Sequence, residues 1–341
     1  MVWRGGYLIS CGVGASRTDE SVKVMAQLAN KVEPRRFRSP SLIGWNGIYL
    51  EVPPEWNLAL VAGGMEQGHL RVDGPNDVHV RVKWKRVKGK ADLKRNLDRY
   101  LKLVRRKSKA GFEINHDIRL PVQRDRADRK PIFFSWKGEA QAVGMIWHCP
   151  SCGRVTIAQV DGPGKRNLTL LASQVLGTLE DHALDGYHTW GVYGLAADIP
   201  ADFALTQNRL LSGYIQLHFS RGRSDMLLDR WGLADVALRK VSLEEWVKSR
   251  YTKLWKNYRC EINEAEVRGH PGLVVNGDLR SIRERVTAVL LRLVKIGAPT
   301  HLTQYVWTCE LTNRICSVLV HHSRDEEGLA EEVTGSYVCH T

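Results

Sequence analysis

Alternation of apolar and charged residues predicts short antiparallel strands in the first half of the chain. The clearest case is Val78-His79-Val80-Arg81-Val82-Lys83-Trp84, in which every second residue is apolar. Because successive side chains of a strand point to opposite faces, this pattern is typical of a strand with one buried face. Residues 47–50, 56–62 and 68–72 give shorter signals of the same kind, with Gly63-Gly64 and Gly74-Pro75 as turns between them. We therefore predict an antiparallel meander.

The pattern then changes to the helical period. Apolar residues recur at helical spacing after Asp92, a residue type that accepts hydrogen bonds from the first turn of a helix; they are Leu93, Leu97, Tyr100, Leu101 and Val104. A second helix begins at Ser242-Leu243-Glu244-Glu245, which has the form of a capping box. Closing helices are predicted over residues 168–182 and 326–340, and strands over 112–120, 131–160, 261–275 and 302–321. This order predicts an α+β fold in which antiparallel sheets pack with helices.

The same order of motifs occurs twice along the 341 residues, a length that exceeds the usual range of a single core. We match Trp45 with Trp190, Trp84 with Trp231, Glu113-Ile114-Asn115 with Glu261-Ile262-Asn263, and Trp147-x-Cys149 with Trp307-x-Cys309. We predict two tandem homologous repeats, residues 45–187 and 188–341, the second with a helical insertion near 279–296. Residues 1–44 are either a strand–helix extension or the end of a truncated third repeat.

A short step opens each repeat: Pro53-Pro54-Glu55-Trp56-Asn57-Leu58 in the first and Pro200-Ala201-Asp202-Phe203-Ala204-Leu205 in the second. This step resembles the start of PsbP-like domains, which have an antiparallel sheet sandwiched by helices. Members of that family work largely as non-catalytic binding modules. The resemblance implies a binding role and supplies no functional residues to carry over.

Positive charge is concentrated in one segment. The net charge is +13, and residues 81–110 hold 14 Lys or Arg against two Asp. Cations along a strand, a loop and a helix can neutralise successive phosphates, which gives salt-sensitive binding without sequence preference. These cations are Arg81, Lys83, Lys85, Arg86, Lys88, Lys90, Lys94, Arg95, Arg99, Lys102, Arg105, Arg106, Lys107 and Lys109. We predict a protein that binds RNA or DNA, alone or within a ribonucleoprotein such as the ribosome. The alternative is an adaptor or scaffold for an acidic protein partner, and the simplest interpretation is a solubilising surface.

Seven cysteines are too few and too scattered for the disulfide framework of a secreted protein. Trp147-His148-Cys149-Pro150-Ser151-Cys152-Gly153 has the form of a zinc knuckle, and structural zinc takes four ligands. We favour a reduced pair in a turn, with no cofactor. The alternative is zinc, whose shell would be completed by residues such as His182 or His148 or by a distant cysteine; His182 is named as the third ligand because the closing helices align Asp181-His182 with Cys339-His340. A disulfide such as Cys309 with Cys339 is the third interpretation. In the second repeat Thr312 stands where the first has Cys152.

Other motifs limit the classes of function. No carboxylate dyad or Ser-His-Asp order is visible, so we predict a non-enzymatic protein, with a zinc-dependent enzyme as the third hypothesis. Arg154 and Arg314 recur beside a tryptophan, either as sheet-end arginines stacked on an indole or as a pair of anion sites. Arg or Lys interrupts each apolar run well before the roughly 20 residues of a membrane span, and no export signal is visible. We therefore predict a cytoplasmic protein with no membrane partner, and its abundant Arg, Lys and Glu suit a thermophile.

Overall fold

The computed structural model describes residues 39–106, 111–116, 118–120, 130–183, 185–280 and 299–340. Within these ranges 51% of the residues lie in strands and 20% in helices. The strands form three antiparallel sheets, two with seven strands and one with four. The α+β prediction is therefore wrong, because the protein has a mainly-β fold.

The strands are β1 (Ser41–Trp45), β2 (Ile48–Val52), β3 (Asn57–Gly63), β4 (Gln67–Asp73), β5 (His79–Arg86), β6 (Glu113–Asn115), β7 (Ile132–Lys137), β8 (Ala140–His148), β9 (Arg154–Pro163), β10 (Tyr187–Val192), β11 (Leu195–Pro200), β12 (Ala204–Leu211), β13 (Tyr214–Arg221), β14 (Ser224–Gly232), β15 (Tyr258–Val267), β16 (His270–Leu279), β17 (His301–Cys309) and β18 (Arg314–His322). The helices are α1 (Leu93–Arg105), α2 (Thr169–Gly177), α3 (Ala234–Ala237), α4 (Leu243–Trp255) and α5 (Leu329–Ser336), with short 3-10 turns at Glu310–Thr312 and Arg324–Glu326.

Two features of the structure account for the difference between the predicted and the observed fold class. The edge strand β12 is almost entirely exposed, so it carries polar residues on both faces and loses the apolar alternation. The predicted closing helices are also much shorter than expected. The first spans only Thr169–Gly177 and the second only Leu329–Ser336, because each chain segment then returns toward a sheet.

The two seven-stranded sheets have the same strand order. One runs β3-β4-β5-β9-β8-β7-β6 and the other β12-β13-β14-β18-β17-β16-β15. Both also carry an irregularity at the same place, between Leu58 and Leu60 in β3 and between Leu205 and Gln207 in β12. A helix of 13 residues follows the third strand of each sheet. Strand pairing therefore gives a residue-by-residue correspondence between the two sheets.

This correspondence corrects three of the sequence matches. Arg154 and Arg314 are the first residues of the corresponding strands β9 and β18. Arg154 lies opposite Arg86 and Arg314 lies opposite Gly232, so Arg86 corresponds to Gly232. Two residues earlier on each strand, the structural counterpart of Trp84 is therefore Arg230, one residue before Trp231. The structural counterpart of Trp45 lies two residues away from Trp190. The two Glu-Ile-Asn motifs are likewise two residues out of register with each other. A shift of one residue matters most, because it moves a side chain to the other face of the sheet.

The four-stranded sheet, of order β11-β10-β1-β2, joins the two halves. Gly44 of β1 lies opposite Gly191 of β10, and a Cβ on Gly44 would stand 2.2 Å from the carbonyl oxygen of Thr189. Next to this glycine pair, the rings of Trp45 and Trp190 meet edge to face at 5.2 Å. One continuous apolar core contains buried residues from this sheet, from both large sheets, and from α2 and α5.

Helices α1 and α4 pack away from that core, each over its own sheet. Leu97 and Leu101 of α1 pack with Phe134 and Ile146. The predicted starts of both helices are confirmed. The Asp92 carboxylate accepts a 2.9 Å hydrogen bond from the backbone of Arg95, and Ser242 and Glu245 form the expected capping box.

Some predicted elements lie outside the described residues. These are the strand and helix of the N-terminal extension as far as residue 38, and the helical insertion from residue 281 onward. Residue 279, where the insertion was expected to begin, is the last residue of β16. None of the described helices combines the length and the apolar character that a membrane crossing requires.

Candidate metal centres and basic face

The predicted zinc knuckle is a tight turn between β8 and β9. The backbone N–H of Cys149 donates to the Arg154 carbonyl at 2.9 Å, and the Gly153 N–H donates to the Cys149 carbonyl at 2.9 Å. Gly153 has φ of +69°, a conformation that favours glycine. The turn places the buried Cys149 and the half-buried Cys152 on the same side, toward the chain that follows α2.

That chain brings two further donor groups to the turn. His182 Nδ1 lies 3.4 Å from Cys149 Sγ and 2.9 Å from Asp181 Oδ1. The other carboxylate oxygen of Asp181 accepts a 2.6 Å hydrogen bond from the indole N–H of Trp147, which fixes the carboxylate. The ligand atoms of Cys149, Cys152, Asp181 and His182 all lie within 4.8 Å of one another. The structure thus brings the three predicted residues together and adds Asp181, which the sequence analysis named only as a neighbour of His182.

The two thiols of this first cluster have different pKa values. A hydrogen bond from the Cys152 thiol lowers the pKa of Cys149 to about 6. The same hydrogen bond, together with burial, raises the pKa of Cys152 well above its ordinary value. A thiolate is the form of cysteine that binds a metal, so the hydrogen bond from Cys152 favours the binding form of Cys149.

A second cluster occupies the corresponding place in the second repeat. Cys309 Sγ lies 3.4 Å from His340 Nδ1, and Cys339 Sγ lies 3.2 Å from the same nitrogen and 3.4 Å from His270 Nε2. All four ligand atoms lie within 4.8 Å of one another. Cys309 and Cys339 are both free thiols, so the structure does not contain the disulfide that was the third interpretation. His270 is the first residue of β16 and is buried at 9% exposure.

Burial favours the neutral form of two titrating groups in the second cluster. It raises the pKa of Cys339 and lowers the pKa of His270. Both neutral forms are therefore favoured in the folded chain. A neutral imidazole is the metal-binding form of histidine, and His340, the most exposed of the four residues, borders a cavity of about 440 Å³.

The two recurring arginines hold the chain near the clusters. Arg154 is buried and donates to the Asp181 carbonyl at 2.8 Å and to the Met65 carbonyl at 2.7 Å. Arg314 donates to the Gly194 carbonyl at 3.1 Å. Both guanidinium groups thus bind backbone carbonyls at the ends of their sheets. Arg154 in particular fixes the segment that carries Asp181 and His182.

The predicted basic segment lies on the outer side of the first large sheet. Of its cations, Arg81 is half-buried and paired with Asp161 at 2.7 Å, and Arg86 is paired with Glu66 at 2.6 Å. The other cations of the segment that the structure describes are exposed: Lys83, Lys85, Lys88, Lys90, Lys94, Arg95, Arg99, Lys102, Arg105 and Arg106. Lys107 and Lys109 lie outside the described residues.

The exposed cations of β5, of the loop that follows it and of α1 form one surface, which we call the basic face. It consists of Lys83, Lys85, Lys88, Lys90, Lys94, Arg95, Arg99, Lys102, Arg105 and Arg106. The buried residues of β5 point into the main core, and the alternate residues Lys83 and Lys85 point to the side on which α1 packs. Lys83 Nζ lies 5.6 Å from the centroid of the Tyr100 ring of α1. The Tyr100 hydroxyl donates to Gln159 at 2.8 Å, and Trp84 is buried at 3% exposure. Both aromatic residues therefore serve packing, as the sequence pattern predicted.

In the described part of the second repeat, the strand that corresponds to β5 carries no cations at the matching positions. Strand pairing puts Leu227, Asp229 and Trp231 of β14 where β5 has Arg81, Lys83 and Lys85. There, Trp231 packs against Trp246 of α4 and Asp229 is 1% exposed. The same surface of the fold is thus closed in one repeat and charged in the other.

We compared the chain with protein-family models and with curated proteins. Neither comparison found a match. The resemblance to PsbP-like domains therefore stays a prediction, and the function has to be argued from the geometry alone.

Proposed function

We propose that this protein binds the phosphate backbone of RNA or DNA through the basic face of its first repeat. The position of Lys94 and Arg95 carries the proposal. Both lie in the first turn of α1, which holds no acidic residue. The N-terminus of a helix carries partial positive charge, so cations there cost stability, each typically about 0.3–1 kcal/mol at low ionic strength. An anionic ligand would turn this unfavourable arrangement into a favourable one.

The second repeat supports this argument, because the first turn of its corresponding helix carries the opposite charge. The residues of α4 that correspond to Lys94 and Arg95 are Glu244 and Glu245, and Glu245 completes a capping box. Helix α4 is also 13 residues long, and it also follows the third strand of its sheet. The fold therefore does not need cations at these positions, which favours a functional reason for them in the first repeat.

The dimensions of the basic face suit several phosphates at once. Helix α1 has 13 residues, which corresponds to a length of about 20 Å. Phosphates follow one another every ~3.4 Å of axis along each strand of a B-form duplex, so this helix spans several of them. Lys88 and Lys90 in the loop between β5 and α1 extend the charged surface beyond the helix.

A charge-matched comparison tests the proposal. Fluorescence anisotropy measures binding to a labelled single-stranded RNA, a single-stranded DNA and a duplex over a salt series. The test variant is Lys94→Gln, Arg95→Gln, Arg99→Gln and Lys102→Gln in one chain. The control carries Lys240→Gln, Lys248→Gln, Lys253→Gln and Lys256→Gln, four exposed cations around α4. Both variants lose the same net charge from the same number of sites.

We expect the test variant to bind more weakly and to show a smaller salt dependence, while the control binds like the parent protein. Each lost contact to a single strand should reduce the slope of log K against log salt by about 0.7. No binding by the parent protein at low salt would refute the proposal. Equal losses in both variants would refute the basic face as the site. Capture of an acidic protein that survives nuclease treatment, without nucleic-acid binding, would favour the adaptor instead.

A further inference from the structure

Each repeat gathers four donor groups at one place, where the hairpin between the last two strands of its large sheet meets the chain after its closing helix. In the first repeat the hairpin joins β8 and β9, and in the second it joins β17 and β18. Two of the four positions hold the same residue type in both repeats. Cys149 corresponds to Cys309 and His182 to His340, and in both pairs Sγ and Nδ1 lie 3.4 Å apart.

The second thiol has changed position between the repeats without being lost. The first repeat supplies it from the hairpin as Cys152, where the second has Thr312. The second repeat supplies it from the helix end as Cys339, where the first has Asp181. Both clusters thus contain two thiols and a histidine, although the second thiol comes from the hairpin in one repeat and from the helix end in the other. A requirement for two sulfur ligands accounts for this arrangement.

The fourth donor differs as well. The first cluster has the Asp181 carboxylate, held by the Trp147 indole at 2.6 Å. The second has His270, whose ring meets that of His340 at a centroid distance of 5.2 Å and an angle of 83°. The first set therefore has two sulfurs, one nitrogen and one oxygen, and the second has two sulfurs and two nitrogens.

From this geometry we propose that the protein holds two zinc-class ions, one at Cys149, Cys152, Asp181 and His182 and the other at His270, Cys309, Cys339 and His340. Thiolate and imidazole ligands select zinc over the hard cations Mg²⁺ and Ca²⁺. In a tetrahedral site with ligands about 2.0–2.3 Å from zinc, neighbouring ligand atoms lie roughly 3.3–3.8 Å apart. The sulfur–nitrogen contacts of 3.2–3.4 Å in the two clusters are close to this spacing.

Four protein ligands at each point make these sites structural. A catalytic zinc keeps one position for water or substrate, whereas a structural zinc has all four positions filled by the chain. Binding replaces the thiol protons, which pass to solvent, and ties the end of each closing helix to its hairpin. This inference stands apart from the proposed nucleic-acid function, since it rests on other residues and has another measurement.

Metal content gives the first test. The full chain, purified without chelators and reconstituted with Zn²⁺, should contain two equivalents of zinc by inductively coupled plasma mass spectrometry. Cys149→Ser with His182→Ala should leave one equivalent, and Cys309→Ser with His340→Ala should also leave one. The control, Cys260→Ser with His301→Ala, changes the same residue types outside both clusters and should keep two.

Cobalt substitution keeps the proposal falsifiable if a double variant fails to fold. Cys339→Asp copies the first repeat at that position and retains four donors in the second cluster. With Co²⁺ in place of zinc, it should bind two ions, while the sulfur-to-cobalt charge-transfer absorption falls by about a quarter because one of four sulfur ligands is lost. Less than one zinc per reconstituted parent chain would overturn the proposal. So would an unchanged charge-transfer band in this variant, or equal metal loss in the control.

Discussion

Replacing Asp229 with asparagine should remove a pH-dependent cost to folding stability. Asp229 lies on β14 and is 1% exposed. Its Oδ1 accepts hydrogen bonds from the Tyr214 hydroxyl at 2.9 Å and from Gln216 at 3.0 Å, and its Oδ2 accepts one from the Tyr251 hydroxyl at 2.9 Å. Asparagine has the same shape and keeps an acceptor oxygen for Tyr214 and Gln216. Its amide nitrogen takes the place of Oδ2 and can donate a hydrogen bond to the Tyr251 hydroxyl oxygen.

The pKa of Asp229 gives the sign and the size of the effect. Burial raises this pKa from 3.8 to about 6, although the three hydrogen bonds oppose the shift. Between these values the unfolded chain has lost the proton and the folded chain still holds it, so stability falls as the pH rises through this window. Above pH ~6 the cost is complete, and a shift of about two pKa units corresponds to roughly 3 kcal/mol.

Urea unfolding at a series of pH values measures the cost. The free energy of unfolding of the parent chain, minus that of Asp229→Asn, should decrease by up to ~3 kcal/mol from pH 4 to pH 7. Contributions of the thiols and histidines of the two clusters cancel in this difference, because both chains contain them. Asp225 on the same strand provides a control of opposite sign, since its hydrogen bond to His218 lowers its pKa. A difference that does not change with pH would refute the assignment of a raised pKa to Asp229.

Two further changes test the centre of the fold and the relation between the two proposals. Gly44→Ala should destabilise the protein by at least ~1–3 kcal/mol in denaturant unfolding, because its Cβ would stand 2.2 Å from the Thr189 carbonyl oxygen. The control Gly64→Ala should be tolerated, because nothing lies within 4 Å of the added carbon. Removal of the first metal site by Cys149→Ser should weaken nucleic-acid binding in the anisotropy assay, and Cys309→Ser in the second repeat should leave that binding unchanged.

Local signals in the sequence were sufficient for the starts of the two 13-residue helices and for the exposed cations of the first one. Asp92 and the Ser242 capping box set the starts of α1 and α4, because a helix start depends on residues within one turn. The exposed cations of α1 followed from the helical period in the same way. The prediction that Trp84 and Tyr100 belong to packing also held, since both occupy apolar positions of their periods.

The fold class and the register of the repeats depend on long-range pairing, which local patterns do not contain. Trp84 and Trp231 look equivalent because the residue type matches, but strand pairing shows that they point to opposite faces. The second cluster was anticipated only in part, as a possible Cys309–Cys339 disulfide, and it was not recognised as a metal site for a related reason. His270, Cys309 and Cys339 come from a strand start, a hairpin and a helix end, and only the antiparallel order of the sheet brings them together.

The structure connects the first metal cluster to the basic face through one hairpin. The backbone N–H of Val87, just before Lys88, donates to the Gly153 carbonyl at 2.8 Å, and Arg86 Nε donates to the Cys152 carbonyl at 3.1 Å. A bound ion would hold Cys149 and Cys152, and so would hold the carbonyls that fix the start of the basic loop. The corresponding hairpin of the second repeat has Thr312, and its Asn313 carbonyl accepts a 3.1 Å hydrogen bond from the backbone N–H of Ala234 in α3. A thiol within the hairpin therefore lies next to the start of the basic loop in the first repeat, whereas in the second repeat the second thiol comes from the helix end.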